Sequence, residues 1–302
     1  MKILKEKELL QIPTAIAIGN FDGIHMGHRI LLETLKINAK CNNLVSLVFT
    51  FENHTSNVLG NNIKYLTTIK KKIKLLEEIG IDYIYFQKFD KQFASLSYID
   101  FIKNILIDKF NAKMIIIGFD FRFGKAKEGT PKSLIDFGKI YNFQTIIIPP
   151  IELNNKIISS SLIRRLIEEG DVETVKMFLG RYYSIEGKII AGQRIGTKLG
   201  FPTANISYTD DICIPKKGVY ITKTLIDGRF YKSITNIGVR PTINGNILSI
   251  ETHIPLFNQN IYNKNIEIEF IKYIREEKKF DSLEKLKKQI QMDLELLNQF
   301  TI

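Results

Sequence analysis

The hydrophobic pattern of this 302-residue chain changes period once, near residue 180, and that change constrains the architecture more than any other feature. Before it, short continuous apolar runs alternate with segments of helical spacing. Residues 15–19 are an apolar run ending in the turn Asn20-Phe21-Asp22-Gly23, and residues 27–40 carry Ile30, Leu31 and Leu35 at helical steps. Further strands are predicted at 44–51, 82–86, 114–118 and 144–149. Helices are predicted at 69–79 (stopped by Gly80), 98–110 and 133–141. Strands that are apolar throughout, separated by helices, predict a parallel sheet covered on both faces. After residue 180 the pieces are short and β-like: 185–191, 219–226, 230–237, 247–253 and 265–273, with Asp227-Gly228 as a hairpin signal. They predict a small antiparallel barrel or sandwich. Residues 282–300 then read as a helix capped by Ser282, with Leu283, Leu286, Ile290, Leu294 and Leu297 on one face. The chain is too long for one ordinary core, so two domains are expected, 1–180 and 181–302.

Composition excludes several classes. Hydrophobic residues at 44% and charged residues at 25% are globular values, which rules out wholesale disorder. The longest apolar runs, such as Met114-Ile115-Ile116-Ile117, fall far short of a bilayer span. The first residues are charged and lack an apolar signal core. Two cysteines, Cys41 and Cys213, make neither a disulfide framework nor a cysteine-rich metal site. A cytoplasmic protein with no membrane partner is expected. The net charge of +11 is compatible with nucleic acid or with phosphorylated small molecules. No run of five basic residues occurs, and Lys70-Lys71-Lys72 with Lys74 reads as a solvated helix face. No nucleic-acid partner is therefore expected. The sequence leaves the oligomeric state open.

The sharpest local signal is His25-Met26-Gly27-His28 at a helix start that follows a strand and a turn. One helical turn presents both histidines to the same side, Gly27 lets an anion approach the backbone, and the helix N-terminus supplies N–H groups. A triphosphate fits. The same residues also serve as surface caps. In an open parallel sheet, ligands sit beyond the carboxyl ends of the strands. Unusual polar residues gather there: Asn20, Asp22 and His25; Glu52, Asn53 and His54; Gly118, Asp120, Arg122 and Gly124. After the fifth strand, Ser159, Ser160 and Ser161 precede Arg164 in a predicted helix ended by Gly170, a second anion cradle or simply a cap.

In the second half, Thr203 and Asn205 alternate in Leu199-Gly200-Phe201-Pro202-Thr203-Ala204-Asn205, so both side chains point to one face of an extended segment. Two oxygen donors suit Mg²⁺ bridging phosphates; a plain turn entering a strand is the other reading. The segment from Gly192 through Gly196 to Lys198 resembles a P-loop but is one residue short, with Thr197 and Lys198 in the wrong order. It reads as a glycine loop able to wrap phosphates. Glu251 interrupts an apolar strand, either facing solvent or placed to take a proton from a hydroxyl.

Three motifs in order resemble the adenylyltransferase module of prokaryotic bifunctional riboflavin kinase/FAD synthetase. They are Gly19-Asn20-Phe21-Asp22-Gly23-Ile24-His25-Met26-Gly27-His28, Gly118-Phe119-Asp120-Phe121-Arg122-Phe123-Gly124 and Ile158-Ser159-Ser160-Ser161-Leu162-Ile163-Arg164. The riboflavin kinase module is resembled by the stretch from Gly200 to Asn205, by Asn236-Ile237-Gly238-Val239-Arg240-Pro241-Thr242, by Ile250-Glu251-Thr252-His253 and by residues 274–283. Together they span about residues 13–295. The resemblance implies a Rossmann-like nucleotidyltransferase sheet followed by a small β-barrel with a terminal helix. It implies phosphorylation of riboflavin to FMN by ATP in the second domain and transfer of AMP from ATP to FMN in the first, giving FAD and pyrophosphate. Mg²⁺ is expected in both steps.

By this resemblance His25 and His28 hold the ATP phosphates, with Gly19, Asn20, Phe21, Asp22, Gly27 and His54 around them, and Ser160, Ser161 and Arg164 steady the β and γ phosphates. Asp120, Phe121 and Phe123 belong to the nucleotide and flavin pocket. Thr203 and Asn205 bind Mg²⁺ with ATP, Gly192, Gly196, Lys198 and Gly200 form the phosphate loop, Glu251 is the base, and Arg275 lies on the flavin side. The chain departs from the family at Asn53-His54-Thr55, at Ser161 and at Thr197. Two rival readings stand beside this one: a single-activity enzyme with one decayed module, and a basic nucleic-acid-binding barrel.

Overall fold

The structure is a computed structural model describing residues 1–58, 60, 62–192, 196, 199–209, 211–242 and 245–300. It divides into two compact units, Met1–Ser160 and Ser161–Ile302.

The first unit is a six-stranded parallel sheet. Its strands are β1 (Lys2–Leu4), β2 (Thr14–Ile18), β3 (Val45–Phe51), β4 (Tyr83–Gln87), β5 (Ala112–Gly118) and β6 (Gln144–Ile148), in the order β1-β4-β3-β2-β5-β6. Both faces are buried, which explains the missing in/out alternation. Ala15 and Ala17 of β2 pack into one core with α1 (Met26–Cys41). Ile16 and Ile18 pack into the other core, with Phe49, Tyr85 and Phe110. The chain winds from β2 through β3 to β4 on one side and resumes with β5 and β6 on the other. The strand order therefore reverses between β2 and β5, and a crevice opens beyond their carboxyl ends.

The helices between the strands are α1, α2 (Thr55–Val58), α3 (Ile69–Ile79), α4 (Lys91–Ala94), α5 (Tyr98–Asp100) and α6 (Pro131–Tyr141). Thr68 caps α3, and Gly80 ends it at φ +87°. Three details differ from the sequence reading. Strand β1 carries no local signal because three residues are too few for a period; its pairing with β4 creates it. The segment read as one helix over 98–110 is α5 followed by a π-helix, Phe101–Lys109, with Phe110 N–H donating to Ile105 O at 3.2 Å. Apolar spacing over two turns does not separate the two helix types. Lys72, read as part of a solvated face, is instead buried in line with Leu75, Leu76 and Ile79.

A two-stranded hairpin, β7 (Glu152–Leu153) and β8 (Lys156–Ile157), leads to α7 (Ser160–Glu169), whose first residue closes the first unit. The second unit continues with α8 (Val172–Leu179) and a closed antiparallel barrel. Its strands are β9 (Tyr183–Ile190), β10 (Thr203–Ser207), β11 (Gly218–Ile226), β12 (Arg229–Thr242), β13 (Gly245–His253) and β14 (Asn265–Arg275). The order β10-β13-β12-β11-β14-β9 leaves no free edge. The sequence shows five of these strands clearly; β10, the extended segment of Thr203 and Asn205, is the sixth and closes the barrel. Tyr183, Tyr220 and Phe270 fill the interior together with a chain of buried hydroxyls. In that chain Thr222 Oγ1 lies 2.8 Å from both Ser233 Oγ and Thr235 Oγ1. Helix α9 (Leu283–Gln299), capped by Ser282, buries Leu297 against Val219, Ile221 and Ile271 on the barrel's outside. Among the described residues no helix is long and apolar enough to cross a membrane.

Phe49 anchors the aromatic core of the first unit, with ring contacts to Phe51, Tyr85, Phe93, Phe101 and Phe110. Phe49→Ala is expected to cost about 3–5 kcal/mol, read as an earlier urea transition of the full chain.

Candidate functional site

The crevice of the first unit holds a cavity of about 280 Å³ lined by Gly19, His25, Gly27, His28, Gly118, Asp120, Phe121, Ser159 and Ser160, among others. The turn that delivers the histidines is strained. Phe21, Gly23 and Ile24 take φ values of +47°, +82° and +39°, and a β-branched residue rarely adopts such a φ. Phe21 and Ile24 are 1% exposed, so core packing holds the strain. The Asp22 carboxylate accepts from Leu66 N–H at 2.9 Å and Thr67 N–H at 3.3 Å, and Ser160 Oγ donates to Asp22 O at 2.9 Å.

His25 caps α1: its Nδ1 accepts from His28 N–H at 3.2 Å. The two imidazoles stack with centroids 3.7 Å apart, and Phe21 meets His28 edge-on. A side-chain carbon at Gly27 would press on the His25 ring at 3.2 Å. Burial, then His25 and Lys72, holds His28 well below the usual histidine range, so its imidazole is neutral. Its Nδ1 is buried without a hydrogen-bond partner. Such an atom beside a phosphate-sized cavity is where an arriving anion would favour protonation.

A second cavity, about 500 Å³, shares Gly19, Asp120 and Phe121 with the first. Asn20, Phe51, Phe89, Phe93, Phe101 and Phe123 also line it. Phe121 and Phe123 stack with centroids 5.5 Å apart. Asn20 Nδ2 donates to Thr55 Oγ1 at 3.2 Å, while Asn20 Oδ1 is buried without a partner. The two cavities thus meet at the Gly19 turn, one flanked by histidines and serines, the other walled by aromatic rings.

Other expected residues sit elsewhere. The Asp22 carboxylate holds the segment before α3 and lines neither cavity. His54 also lines neither; its Nδ1 accepts from Ser56 N–H, and its N–H donates to Tyr65 Oη at 2.6 Å. Asn53 pins Phe89 through both its amide and carbonyl groups, so the departure at Asn53-His54-Thr55 positions an aromatic wall residue. Ser161 and Arg164 follow on α7 in the second unit, Ser161 exposed and Arg164 half-buried.

In the barrel, Asn205, Glu251 and Asn236 stand opposite one another across β10, β13 and β12. Thr203 Oγ1 donates to Glu251 Oε2 at 3.3 Å. Any side chain at Gly192 would collide with Asn205 Nδ2, and one at Gly196 with Phe201 O, so both glycines allow close backbone approach. Gly200 has φ +87°. Lys198 and Thr197 lie outside the described residues. A cavity of about 400 Å³ is lined by Thr203, Asn236, Glu251, His253, Arg275, Glu277 and the α9 residues Leu286, Ile290 and Leu294. Another, of about 330 Å³, shares Thr203 and is lined by Pro202, Thr252, Phe257 and the amide-rich run Asn258, Gln259 and Asn260. His253 Nδ1 bonds Pro202 O at 2.8 Å, and burial lowers its pKa.

Arg275 does line the larger cavity, but its guanidinium is engaged. It bonds Asp293 of α9 at 2.7–3.2 Å through Nε and Nη2, and Glu276 O at 3.1 Å through Nη1. Gln289 completes the buried carboxylate's partners. Arg275 therefore ties α9 to β14 and builds the apolar wall. Sequence reasoning missed Asp293, Gln289 and the 257–262 segment. Asp293 does fall on the buried side of a helix, in step with the buried Leu297, a signal open to inspection; the amide-rich segment has none.

Family models divide the chain in the same order as these sites: FAD synthetase matches residues 7–162 and riboflavin kinase residues 179–301. Curated relatives cover nearly the whole length. The bifunctional riboflavin kinase/FMN adenylyltransferase of Buchnera aphidicola subsp. Schizaphis graminum is 42% identical over 95% of this chain and 94% of its own. The Bacillus subtilis protein of the same description is 36% identical over 96% and 92%. That of Escherichia coli K12 is 33% identical over 92% and 90%. The chain belongs to the bifunctional riboflavin kinase/FMN adenylyltransferase family. A solved Streptococcus pneumoniae structure, described as a macrolide-efflux protein, is 29% identical and superposes over 99% of each chain with a TM-score of 0.91.

The neutral His28 gives the family's histidine pair a pH signature. Its folded pKa lies well below its unfolded value, so between the two the unfolded chain binds more protons and stability falls with falling pH. Thermal unfolding of the full chain is expected to shift down as pH drops below about 6.5, and His28→Gln should flatten that dependence.

Proposed function

We infer that the chain carries both activities of its family: ATP-dependent phosphorylation of riboflavin to FMN in residues 181–302, and transfer of AMP from ATP to FMN, giving FAD and pyrophosphate, in residues 1–180. The observation that supports it most is that each unit holds two adjoining cavities, one carrying hydrogen-bonding side chains (His25, His28 and Ser160; Asn258, Gln259 and Asn260) and one with an aromatic or aliphatic wall, joined at Gly19 in the first unit and at Thr203 in the second. Each pair suits a nucleotide beside a flavin ring.

In the first unit, the cavity at His25, His28, Gly27 and Ser160 would take the ATP phosphates, and the aromatic cavity at Asn20, Phe121 and Phe123 the isoalloxazine. An FMN phosphate oxygen attacks the α-phosphorus, the bond to the β-phosphate bridging oxygen breaks, and pyrophosphate leaves. The nucleophile is already ionised, so the protein's task is alignment and charge stabilisation. His28, neutral when the site is empty, gains a proton as phosphate charge approaches and then stabilises the developing negative charge. The phosphate contacts expected of Ser161, Arg164 and His54 rest on motif resemblance alone.

In the barrel, the riboflavin 5′-hydroxyl attacks the γ-phosphorus of ATP, the bond from that phosphorus to the β,γ-bridging oxygen breaks and ADP leaves, while Glu251 accepts the hydroxyl proton. Thr203, hydrogen-bonded to Glu251, aims the carboxylate. Thr203 and Asn205 supply oxygen donors suited to Mg²⁺ held jointly with phosphate oxygens. When bound, Mg²⁺ would neutralise phosphate charge. The apolar α9 wall takes the flavin ring, with Arg275 positioning that wall. Reactants are small molecules, and a cytoplasmic location fits the chemistry.

Incubation with riboflavin, ATP and MgCl₂, followed by chromatography of flavins, is expected to give FMN and then FAD. FMN alone would leave one working module, and no product would end the reading. His28→Ala should lower FAD formation from FMN by about 10²- to 10³-fold and spare FMN formation. Glu251→Gln should do the reverse, lowering riboflavin phosphorylation by about 10²- to 10⁴-fold.

A further inference from the structure

Lys72 stands where the pattern of α3 asks for an apolar side chain. It is in step with Leu75, Leu76 and Ile79 and is 6% exposed. Its ammonium donates to Asn20 O at 2.8 Å and Thr50 Oγ1 at 3.4 Å, and Thr50 Oγ1 donates to the same carbonyl at 3.1 Å. Among the described residues no carboxylate lies within ion-pair distance of it. A buried cation with only neutral acceptors destabilises a fold, and methionine would fill the space without that cost. Its position offers a reason for the charge. Asn20 lines the aromatic cavity, and its neighbour Gly19 lines both cavities, so the ammonium lies under the junction of the two.

We propose that Lys72 is a positioning residue for adenylyl transfer: its ammonium holds the Asn20 carbonyl from beneath and sets a positive charge under the turn where two anionic reactants meet. This rests on the reading of the first unit as the FMN adenylyltransferase. The charged and titratable groups that act on Lys72 are Asp22 in the turn after β2 and His28 on α1; Thr50 from β3 is neutral. Burial brings Lys72 down to about 8, against the pull of Asp22. The charge is therefore present at neutral pH and lost as pH rises through that value. Arriving phosphates hold it in place, so binding draws in a proton near that pH.

The test uses the full chain with ATP and MgCl₂ from pH 6.5 to 9.5, following FMN to FAD and, as an internal control, riboflavin to FMN. Wild-type FAD formation is expected to fall above pH ~8 while phosphorylation does not. Lys72→Met should lower kcat/KM for FAD formation by roughly 10- to 100-fold at neutral pH, remove the alkaline fall and leave phosphorylation unchanged. Lys72→Arg should recover most of the rate and keep it at high pH. A Lys72→Met rate and pH profile matching wild type would overturn the proposal, as would a folded Lys72→Arg no better than Lys72→Met. If Lys72→Met fails to fold, the comparison of wild type with Lys72→Arg decides: identical alkaline limbs refute the role. Wild type that makes no FAD at any pH would remove the adenylyltransferase reading itself, a different outcome.

Discussion

The first unit depends on how the chain leaves β2. Within six residues it turns from a buried strand to a helix N-terminus, and three of those residues take left-handed backbone angles. Nothing local favours that path for Phe21 or Ile24. It persists because both side chains are sealed in the core, Asp22 clasps Leu66 and Thr67 N–H groups, and Ser160 bonds Asp22 O. The result is a histidine pair whose rings stack and whose first member caps the helix that carries the second. Asp22, which its motif position makes resemble a ligand group, works here as the clamp of the turn.

The barrel solves a related problem differently. Closure brings β10 beside β13, so Asn205, Glu251 and Asn236 form a row that no stretch of sequence contains. Glycines at 192 and 196 let the preceding loop press on Asn205 and Phe201. The Arg275–Asp293 pair, its carboxylate buried and its guanidinium partly so, seats α9 against the strand that ends beside it. Such a pair adds little net stability, and here its geometry shapes the cavity wall.

Much of this was legible beforehand. The change of period separated the two architectures, helix ends at Gly80 and Ser282 fell where their caps required, and the motif histidines, Asp120, Phe121, Thr203 and Glu251 gather at the cavities. One misreading, Lys72, and two roles that sequence does not show, those of Asp293 and Asn53, share a cause: their partners lie far along the chain, at Asn20, Arg275 and Phe89. A lysine flanked by lysines reads as solvent-facing, and only the apolar residues three, four and seven positions later tell otherwise. The alternation of Thr203 and Asn205 shows only an extended segment, and pairing with β9 and β13 on its two sides makes it strand β10.

Sequence alone determined what is local or periodic: which segments are apolar on two faces or one, where helices start and stop, and which motifs resemble those of the family. Tertiary structure decided what depends on burial and distance: that the surroundings of His28 lower its pKa, that Asp22 accepts from Leu66 and Thr67 N–H while Arg275 bonds Asp293, that Lys72 is buried against the Asn20 carbonyl, and that cavities in each unit share lining residues. The physical reason is that dielectric environment and hydrogen-bond partnership belong to a place in space, and neighbours in that place are set by packing between residues tens of positions apart.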